Sequence, residues 1–184
     1  MAGAAEGGMT RPSEPRADTA SMLRVNQAGE YGATRIYAGQ LAVLRKDSPA
    51  AHAISGMARQ EERHLERFNA LMAERRVRPT LLQPVWDVAG FALGAATALM
   101  GEKAAMACTD AVETEIDRHY GEQLDALGDE DPVLAADIAQ FRAEELEHQA
   151  TARAHGATEA VAFPLLSAAI RAGCRVAIGL SKRI

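Results

Sequence analysis

The sequence of 184 residues is long enough for one domain with a substantial core. Hydrophobic residues make up 48% of the chain but aromatic residues only 4%, and this composition favours helices over sheets. The formal net charge of −5 provides no basic surface, so we exclude nucleic acid as a partner. The two cysteines, Cys108 and Cys174, form no metal-binding cluster and are expected to be small apolar side chains in a reducing compartment.

The chain divides into a short lead-in and one helical domain. Residues 1–20 are rich in glycine, alanine, proline and mixed charge, without the apolar stretch of a secretory signal, which predicts a disordered segment. Residues 21–184 form the predicted domain, in which capping residues, prolines and glycines mark six helices. These helices are predicted from Thr19 or Ser21 to Lys46, from Pro49 to about Arg76, from near Pro84, through Glu113 to about Gly128, from Pro132 to about Gly156, and from Pro164 onward.

The third and sixth predicted helices are strongly apolar. Fourteen uncharged residues lie between Asp87 and Glu102, whereas a helix needs roughly twenty to cross a bilayer. The third helix is therefore either a buried connection or an interfacial helix with Trp86 at the lipid headgroups. The sixth is amphipathic, with basic residues beside apolar ones, which suits an anionic membrane surface and also a core helix with a basic edge.

The motif Glu-x-x-His occurs twice, at Glu61–His64 and Glu145–His148. Residues three apart lie about 60° apart around a helix, so a glutamate and a histidine with this spacing can bind one metal ion. Each motif follows a single glutamate, Glu30 or Glu113, by 31 or 32 residues. Four carboxylates and two imidazoles from four helices are the ligands with which a helical bundle holds two iron or manganese ions.

The residues around the two single glutamates also repeat. An arginine, a tyrosine, a glutamine and a leucine follow both Glu30 and Glu113 at distances of 5, 7, 10 and 11 residues. The chain therefore contains two copies of a helix pair, offset by 83 or 84 residues. One Glu-x-x-His is typical of a solvated helix surface, but a duplicated motif with matching flanks favours a dinuclear metal site in a four-helix bundle.

Further acids lie beside the predicted ligands: Glu62, Glu144 and Glu147. The repeat aligns each of these with a non-acidic residue, in the same order Leu146, Gln60 and Arg63. They are therefore predicted to be ordinary charges on helix surfaces. An acid that orients each imidazole is expected as well, and Asp110, one turn before Glu113, is a candidate.

Specific segments extend beyond the ligands: RVNQAGEYGA at 24–33, IYAGQ at 36–40, ACT at 107–109, AVE at 111–113, FR at 141–142, EELEH at 144–148 and AGCRVAI at 172–178. These segments resemble the demethoxyubiquinone hydroxylase family of ubiquinone biosynthesis, and the resemblance runs from Leu23 to the end of the chain. It implies an all-α, ferritin-like four-helix bundle, with an apolar connecting helix and a C-terminal amphipathic helix. The implied activity is that of a membrane-associated di-iron monooxygenase, which uses O₂ to hydroxylate the C6 ring position of a demethoxy-ubiquinol.

The resemblance assigns two iron ions to the positions that the repeat selects: Glu30, Glu61, His64, Glu113, Glu145 and His148. The electrons would come from NADH or from a separate reductase. Tyr37 and Tyr120 each lie seven residues after a ligand glutamate, which predicts either core packing or a hydrogen-bonding and relay role at the site. By resemblance, His119 is a candidate quinone contact, with a solvated histidine as the alternative.

The resemblance also implies partners and a location. The partners are demethoxy-ubiquinol with its isoprenoid tail, O₂, a membrane surface, a lipid-binding helper protein and further copies of the chain. The location is the cytoplasmic face of a bacterial inner membrane, because the first residues lack an arginine-rich transit pattern. The matrix side of a mitochondrial inner membrane is the alternative.

Other function classes fit parts of the pattern. A ferritin-like iron-oxidising or peroxide-reducing protein would share the metal site but not the lipid substrate. A non-enzymatic helical membrane scaffold would use the glutamates as surface charge. Metal analysis separates the scaffold from the other two, and ring hydroxylation separates the monooxygenase from the iron-oxidising protein.

Overall fold

The computed structural model describes residues 17–183, so most of the predicted lead-in lies outside the described residues. Within them the chain forms α-helices and a single short 3-10 turn at Ala157–Glu159, and the described part contains no β-strand. The all-α prediction is therefore confirmed. The helices, α1 to α6, span Thr19–Val43, Pro49–Arg75, Gln83–Leu99, Glu102–Leu127, Pro132–Ala154 and Phe163–Ser181.

Two of the helix starts follow the predicted capping residues. The side chain of Ser48 accepts a 3.1 Å hydrogen bond from the backbone N–H of Ala51, and a proline occupies the first turn of α2. Asp131 caps α5 in the same way. Helix α1 stops at Val43, three residues before the predicted end at Lys46. Leu44 adopts an extended conformation there and buries its side chain in the core.

Four helices form the bundle, and each runs through two apolar clusters with a polar layer between them. The first cluster includes Leu44, Ile54, Met57, Met106 and Ala152, at one end of the bundle. The second cluster, at the other end, includes Leu23, Phe68, Leu127, Leu134 and Ile138.

The order of the clusters along the chain sets the directions of the helices. Helices α1 and α5 start in the second cluster and end in the first, whereas α2 and α4 run the opposite way. Each short-loop pair, α1 with α2 and α4 with α5, is thus antiparallel, and the connection from α2 to α4 must return along the bundle. This arrangement is that of a ferritin-like bundle with one long crossover.

Helix α3 makes that crossover and lies directly against α1. A Cβ atom added at Gly94 would meet the backbone carbonyl of Ile36, and one added at Gly39 would meet that of Phe91. The two backbones therefore touch, and only glycine fits at these positions. The opposite face of α3 is exposed and apolar, with Val85, Val88, Leu99 and Met100 more than half exposed. The helix is not the buried connection that was one of its two predicted forms.

Helix α6 lies against α4. Ile170 is buried with Cys108 and Val112 in a third apolar cluster. The fully buried carboxylate of Glu115 accepts hydrogen bonds from Arg171 at 2.8 Å and Arg175 at 2.9 Å, which ties the two helices together. The outer face of α6 is exposed and apolar, and by length and composition alone this helix could cross a membrane.

Candidate metal centre

The polar layer between the two apolar clusters contains the predicted ligands. One group of ligand atoms, all within 4.8 Å of one another, comes from Glu30, Glu61, His64 and Glu145. A second group with the same spacing comes from Glu61, Glu113, Glu145 and His148. Glu61 and Glu145 belong to both groups, so they are placed to bridge two cations. Glu30 and Glu113 each belong to one group, as does each imidazole.

Both imidazoles direct the same ring nitrogen at the carboxylates. Nδ1 of His64 lies 3.1 Å from Glu145 Oε1 and 3.6 Å from Glu30 Oε2. Nδ1 of His148 lies 2.9 Å from Glu145 Oε2 and 3.1 Å from Glu61 Oε1. The other ring nitrogen, Nε2, points away from the four predicted ligand carboxylates in both cases. Each histidine can therefore bind a metal through Nδ1 and use Nε2 for a hydrogen bond that fixes its ring.

Burial and close contact shift the pKa values of the carboxylates and of His64. Burial and the neighbouring carboxylates raise the pKa of Glu61 and of Glu113 well above the usual value. Burial opposes ionisation of Glu145, but the two imidazoles close to its carboxylate lower its pKa to about 2. Burial opposes protonation of His64, but hydrogen bonds to two carboxylates raise its pKa to about 11. Protons therefore offset the negative charge of this layer, and divalent cations can replace them.

Unused acceptor atoms indicate that the layer fits cations. Among the described residues, buried side-chain atoms without a hydrogen-bond partner include both oxygens of Glu61 and one oxygen each of Glu30, Glu113 and Glu145. Nδ1 of His148 lies close to oxygens of Glu61 and Glu145 but is not aligned for a hydrogen bond with either. Buried polar atoms without partners are costly, and cations bound in the two ligand groups would give these six atoms partners. Oxygen and imidazole ligands without thiolate suit iron or manganese.

Two tyrosines complete the carboxylate layer. The hydroxyl of Tyr37 donates a 2.7 Å hydrogen bond to Glu113, and the hydroxyl of Tyr120 donates to Glu30. Both tyrosines are fully buried. Each therefore orients the single glutamate of the opposite repeat. Both tyrosines also pack in the apolar clusters, so the structure shows core packing together with a hydrogen bond to a predicted ligand, and a relay role stays a prediction.

An apolar cavity of about 540 Å³ lies beside the polar layer, between α1, α3, α4 and α6. Gly29 and Val112, which line it, directly precede Glu30 and Glu113 in the sequence. Leu93 on α3 and Leu166 on α6 form the wall away from these glutamates. The cavity can therefore hold a large apolar molecule next to the polar layer.

Known proteins match this chain over most of its length. Residues 17–181 match the model of the family described as ubiquinone biosynthesis protein COQ7. The chain belongs to this family. A 3-demethoxyubiquinol 3-hydroxylase of Rhodospirillum rubrum is 59% identical over 88% of this chain and 76% of its own length. Mitochondrial NADPH-dependent 3-demethoxyubiquinone 3-hydroxylases of Mus musculus and Homo sapiens are 53% and 51% identical over 96% of this chain, and over 82% and 83% of their own lengths. These matches confirm the predicted family.

In this COQ7-family chain, Glu144 does not behave as predicted. Its carboxylate lies 2.9 Å from Nε2 of His64, so it is not an ordinary surface charge. Gln60, the residue that the repeat aligns with Glu144, makes the corresponding 2.9 Å contact with Nε2 of His148. The aligned pair was a signal for these contacts, but each side chain reaches a histidine on another helix. Glu62 and Glu147 are exposed, as predicted.

Two other predicted residues lie elsewhere in the structure. Asp110 does not orient an imidazole; its carboxylate instead accepts a 2.6 Å hydrogen bond from Arg153. His119 is buried, which excludes the solvated alternative, and its Nε2 lies 2.7 Å from the side-chain nitrogen of Gln123. Gln123 is hydrogen-bonded in turn to Asn26. His119 is thus part of a buried polar chain and does not belong to either ligand group.

Proposed function

We propose that this chain uses O₂ at a di-iron centre to hydroxylate the ring of a demethoxy-ubiquinol in ubiquinone biosynthesis. The observation that carries the proposal is the pair of ligand groups joined through Glu61 and Glu145, in a chain that belongs to the COQ7 family. Relatives in bacteria and mitochondria are named as hydroxylases of demethoxyubiquinol or demethoxyubiquinone. Their names number the reacting carbon 3, where the resemblance suggested C6. Each name describes hydroxylation at the carbon that lacks the methoxy group.

The proposed iron ligands are the six residues that the repeat selects. Four carboxylates balance the charge of two ferrous ions, which makes their burial less costly. When bound, the iron ions would supply electrons for the activation of O₂. The hydroxyls of Tyr37 and Tyr120 would hold Glu113 and Glu30 in their binding orientation. The apolar clusters on both sides would keep water out of the layer.

The apolar cavity is the proposed site for the quinol. Its glycine-lined part near Glu30 would take the flat ring, because Gly29 and Gly32 leave no side chain in the way. The isoprenoid tail would follow the wall formed by Leu93, Leu166 and their neighbours. An apolar tail gains roughly 25 cal/mol for each Å² that leaves water, so this wall would contribute most of the binding energy.

A membrane surface is the proposed source of this substrate. The exposed faces of α3 and α6 carry large apolar residues beside the cavity, including Val88, Leu99, Leu165 and Val176. We place the chain at the cytoplasmic face of a bacterial inner membrane, with the matrix side of a mitochondrial membrane as the alternative. The bacterial relative is 59% identical to this chain, whereas the mouse and human relatives are 53% and 51% identical, which supports the first location. A lipid-binding helper protein or a second copy of the chain would bind the same apolar faces.

The electrons are proposed to come from a reduced nicotinamide or from a separate reductase. The names of the mouse and human relatives specify NADPH, whereas NADH was the nucleotide considered from the sequence. Anaerobic mixing of the oxidised, iron-loaded protein with NADH, NADPH or neither distinguishes the two. If neither nucleotide alone reduces the iron, a separate reductase must supply the electrons.

The central experiment combines iron analysis with product analysis. The iron-loaded protein is reduced, mixed with a short-tail demethoxyquinol and exposed to ¹⁸O₂, and the product is analysed by mass spectrometry. We expect two irons per chain, antiferromagnetically coupled in Mössbauer spectra after oxidation, and one ¹⁸O atom in the ring. Glu145→Ala should abolish both iron binding and product, whereas Glu147→Ala, on the exposed side of the same helix, should change neither.

Two outcomes would contradict the proposal. Coupled irons that consume O₂ or peroxide but leave the ring unchanged would identify an iron-oxidising or peroxide-reducing protein instead. A purified and reconstituted protein that binds no metal would leave the helical scaffold as the remaining function.

A further inference from the structure

The two proposed metal positions have ligands of the same kinds, but their histidines have different hydrogen-bond partners. Each position has three carboxylates and one imidazole Nδ1, with two of the carboxylates shared. Behind His64, the group at Nε2 is the carboxylate of Glu144, at 2.9 Å. Behind His148, it is the amide oxygen of Gln60, also at 2.9 Å. The distances match, so the positions differ mainly in the charge of the partner.

A second contact also distinguishes His64 from His148. The ring of Phe141 stacks on the ring of His64, with centroids 4.0 Å apart and planes 25° apart. The residue that the repeat places opposite Phe141 is Met57, which has no ring to stack. His64 is thus held both by a carboxylate at its edge and by an aromatic ring at its face.

We propose that Glu144 and Gln60 are positioning residues that make the two metal positions inequivalent. The position of His64 would bind the first divalent ion more tightly than the position of His148. A carboxylate that accepts the Nε2 proton increases the electron density at Nδ1 and adds a negative charge near the cation. The neutral amide of Gln60 fixes the second ring with a weaker effect. This inference rests on the proposed function, because it requires two metal ions in the layer.

The test is a titration of the metal-free protein with Co²⁺, followed by calorimetry and by visible absorption. The wild-type protein should bind two ions with clearly different dissociation constants. Glu144→Gln should weaken the tighter constant by roughly 10- to 100-fold, so that the two become similar. Gln60→Glu should tighten the weaker one. The double variant, with the carboxylate and amide exchanged, should again show two unequal constants, which a general packing effect would not restore.

A change at an exposed position of α5 is the control for the Glu144 variant. Glu147→Gln, an exposed position on the same helix as Glu144, should titrate like the wild type. Equal isotherms for Glu144→Gln and Glu147→Gln, or no change in Gln60→Glu, would overturn this inference and leave the di-iron proposal intact. A wild-type protein that binds no Co²⁺ or iron would overturn both. Gln60→Glu carries the test by itself if Glu144→Gln does not fold, as judged by circular dichroism.

Discussion

The hydroxyl of Tyr37, in the first helix pair, lies 2.7 Å from a carboxylate oxygen of Glu113, in the second pair. Tyr120 makes the reciprocal contact with Glu30. Each half of the duplicated chain thus supplies the hydrogen bond that orients a glutamate of the other half. The two halves share one site, rather than each folding around its own.

Replacement of Tyr37 or Tyr120 by phenylalanine should weaken metal binding by roughly 10-fold without unfolding the bundle. Each phenylalanine keeps the apolar packing but leaves a ligand carboxylate without the contact that orients it. Co²⁺ or anaerobic Fe²⁺ titration measures the effect. Tyr31→Phe is the control, since the Tyr31 hydroxyl bonds Asp87 instead of a ligand. A Tyr37→Phe protein that binds metal as Tyr31→Phe does would show that the hydrogen bond has no role in binding.

A charge on the outer face of α3 should weaken membrane binding and leave the metal layer unchanged. Val88 is 69% exposed on α3. The control position is Val133, which is 52% exposed on α5. Val88→Asp should lower the fraction of protein that co-sediments with anionic liposomes, because a carboxylate resists entry into the apolar region of the lipid. Val133→Asp should sediment like the wild type, and both variants should bind two irons. Equal sedimentation of the two variants would exclude α3 as the membrane surface.

Neutralising Glu115 should loosen α6 from the bundle. Its buried carboxylate bonds Arg171 and Arg175 of α6, so Glu115→Gln should lower the free energy of unfolding by about 1–3 kcal/mol. Amide protons of α6 should also exchange faster. The matched change is Glu159→Gln, since Glu159 pairs with Lys103 at the surface and should have a smaller effect. Similar effects of the two changes would mean that the buried carboxylate does not hold α6.

The buried imidazole of His119 should make the fold sensitive to mild acid. Burial, followed by the charge of Lys182, lowers the pKa of His119 from 6.5 to about 4. The folded protein therefore binds fewer protons there than the unfolded chain, and stability is lost as the pH falls from about 6.5 to about 4. Urea unfolding at pH 7 and pH 4 should show up to about 3 kcal/mol more loss for wild type than for His119→Gln. His52→Gln, at an exposed position, should behave like the wild type; equal losses in all three proteins would contradict this assignment.

The duplicated spacing was sufficient to select the six side chains that the fold brings together. Helical periodicity determines which residues of one helix share a face, and the two copies remove chance matches to Glu-x-x-His. The capping residues Ser48 and Asp131 were readable for the same reason, because a cap acts within three residues of its own position. These features depend on local geometry alone.

Contacts between helices were not readable in this way. Glu144 reaches His64 on α2 although it belongs to the same helix as His148, so its role depends on how α2 and α5 are rotated against each other. Asp110 faces Arg153 for the same kind of reason. The length of the apolar stretch before Glu102 could not say which face of α3 meets α1, because that choice depends on small residues at the contact. The end of α1 at Val43 was missed because core packing of Leu44 outweighs the helix propensity of Arg45 and Lys46.

The glycine contacts between α1 and α3 have a mechanical consequence. No side chain separates the two backbones at Gly39 and Gly94, so nothing there can deform to absorb a relative displacement. A lipid surface that seats α3 would thereby also set the height and tilt of Glu30, which α1 carries into the polar layer. The depth at which the protein rests on a bilayer would then determine where Glu30 lies relative to the reacting ring, because α1 and α3 move as one rigid body.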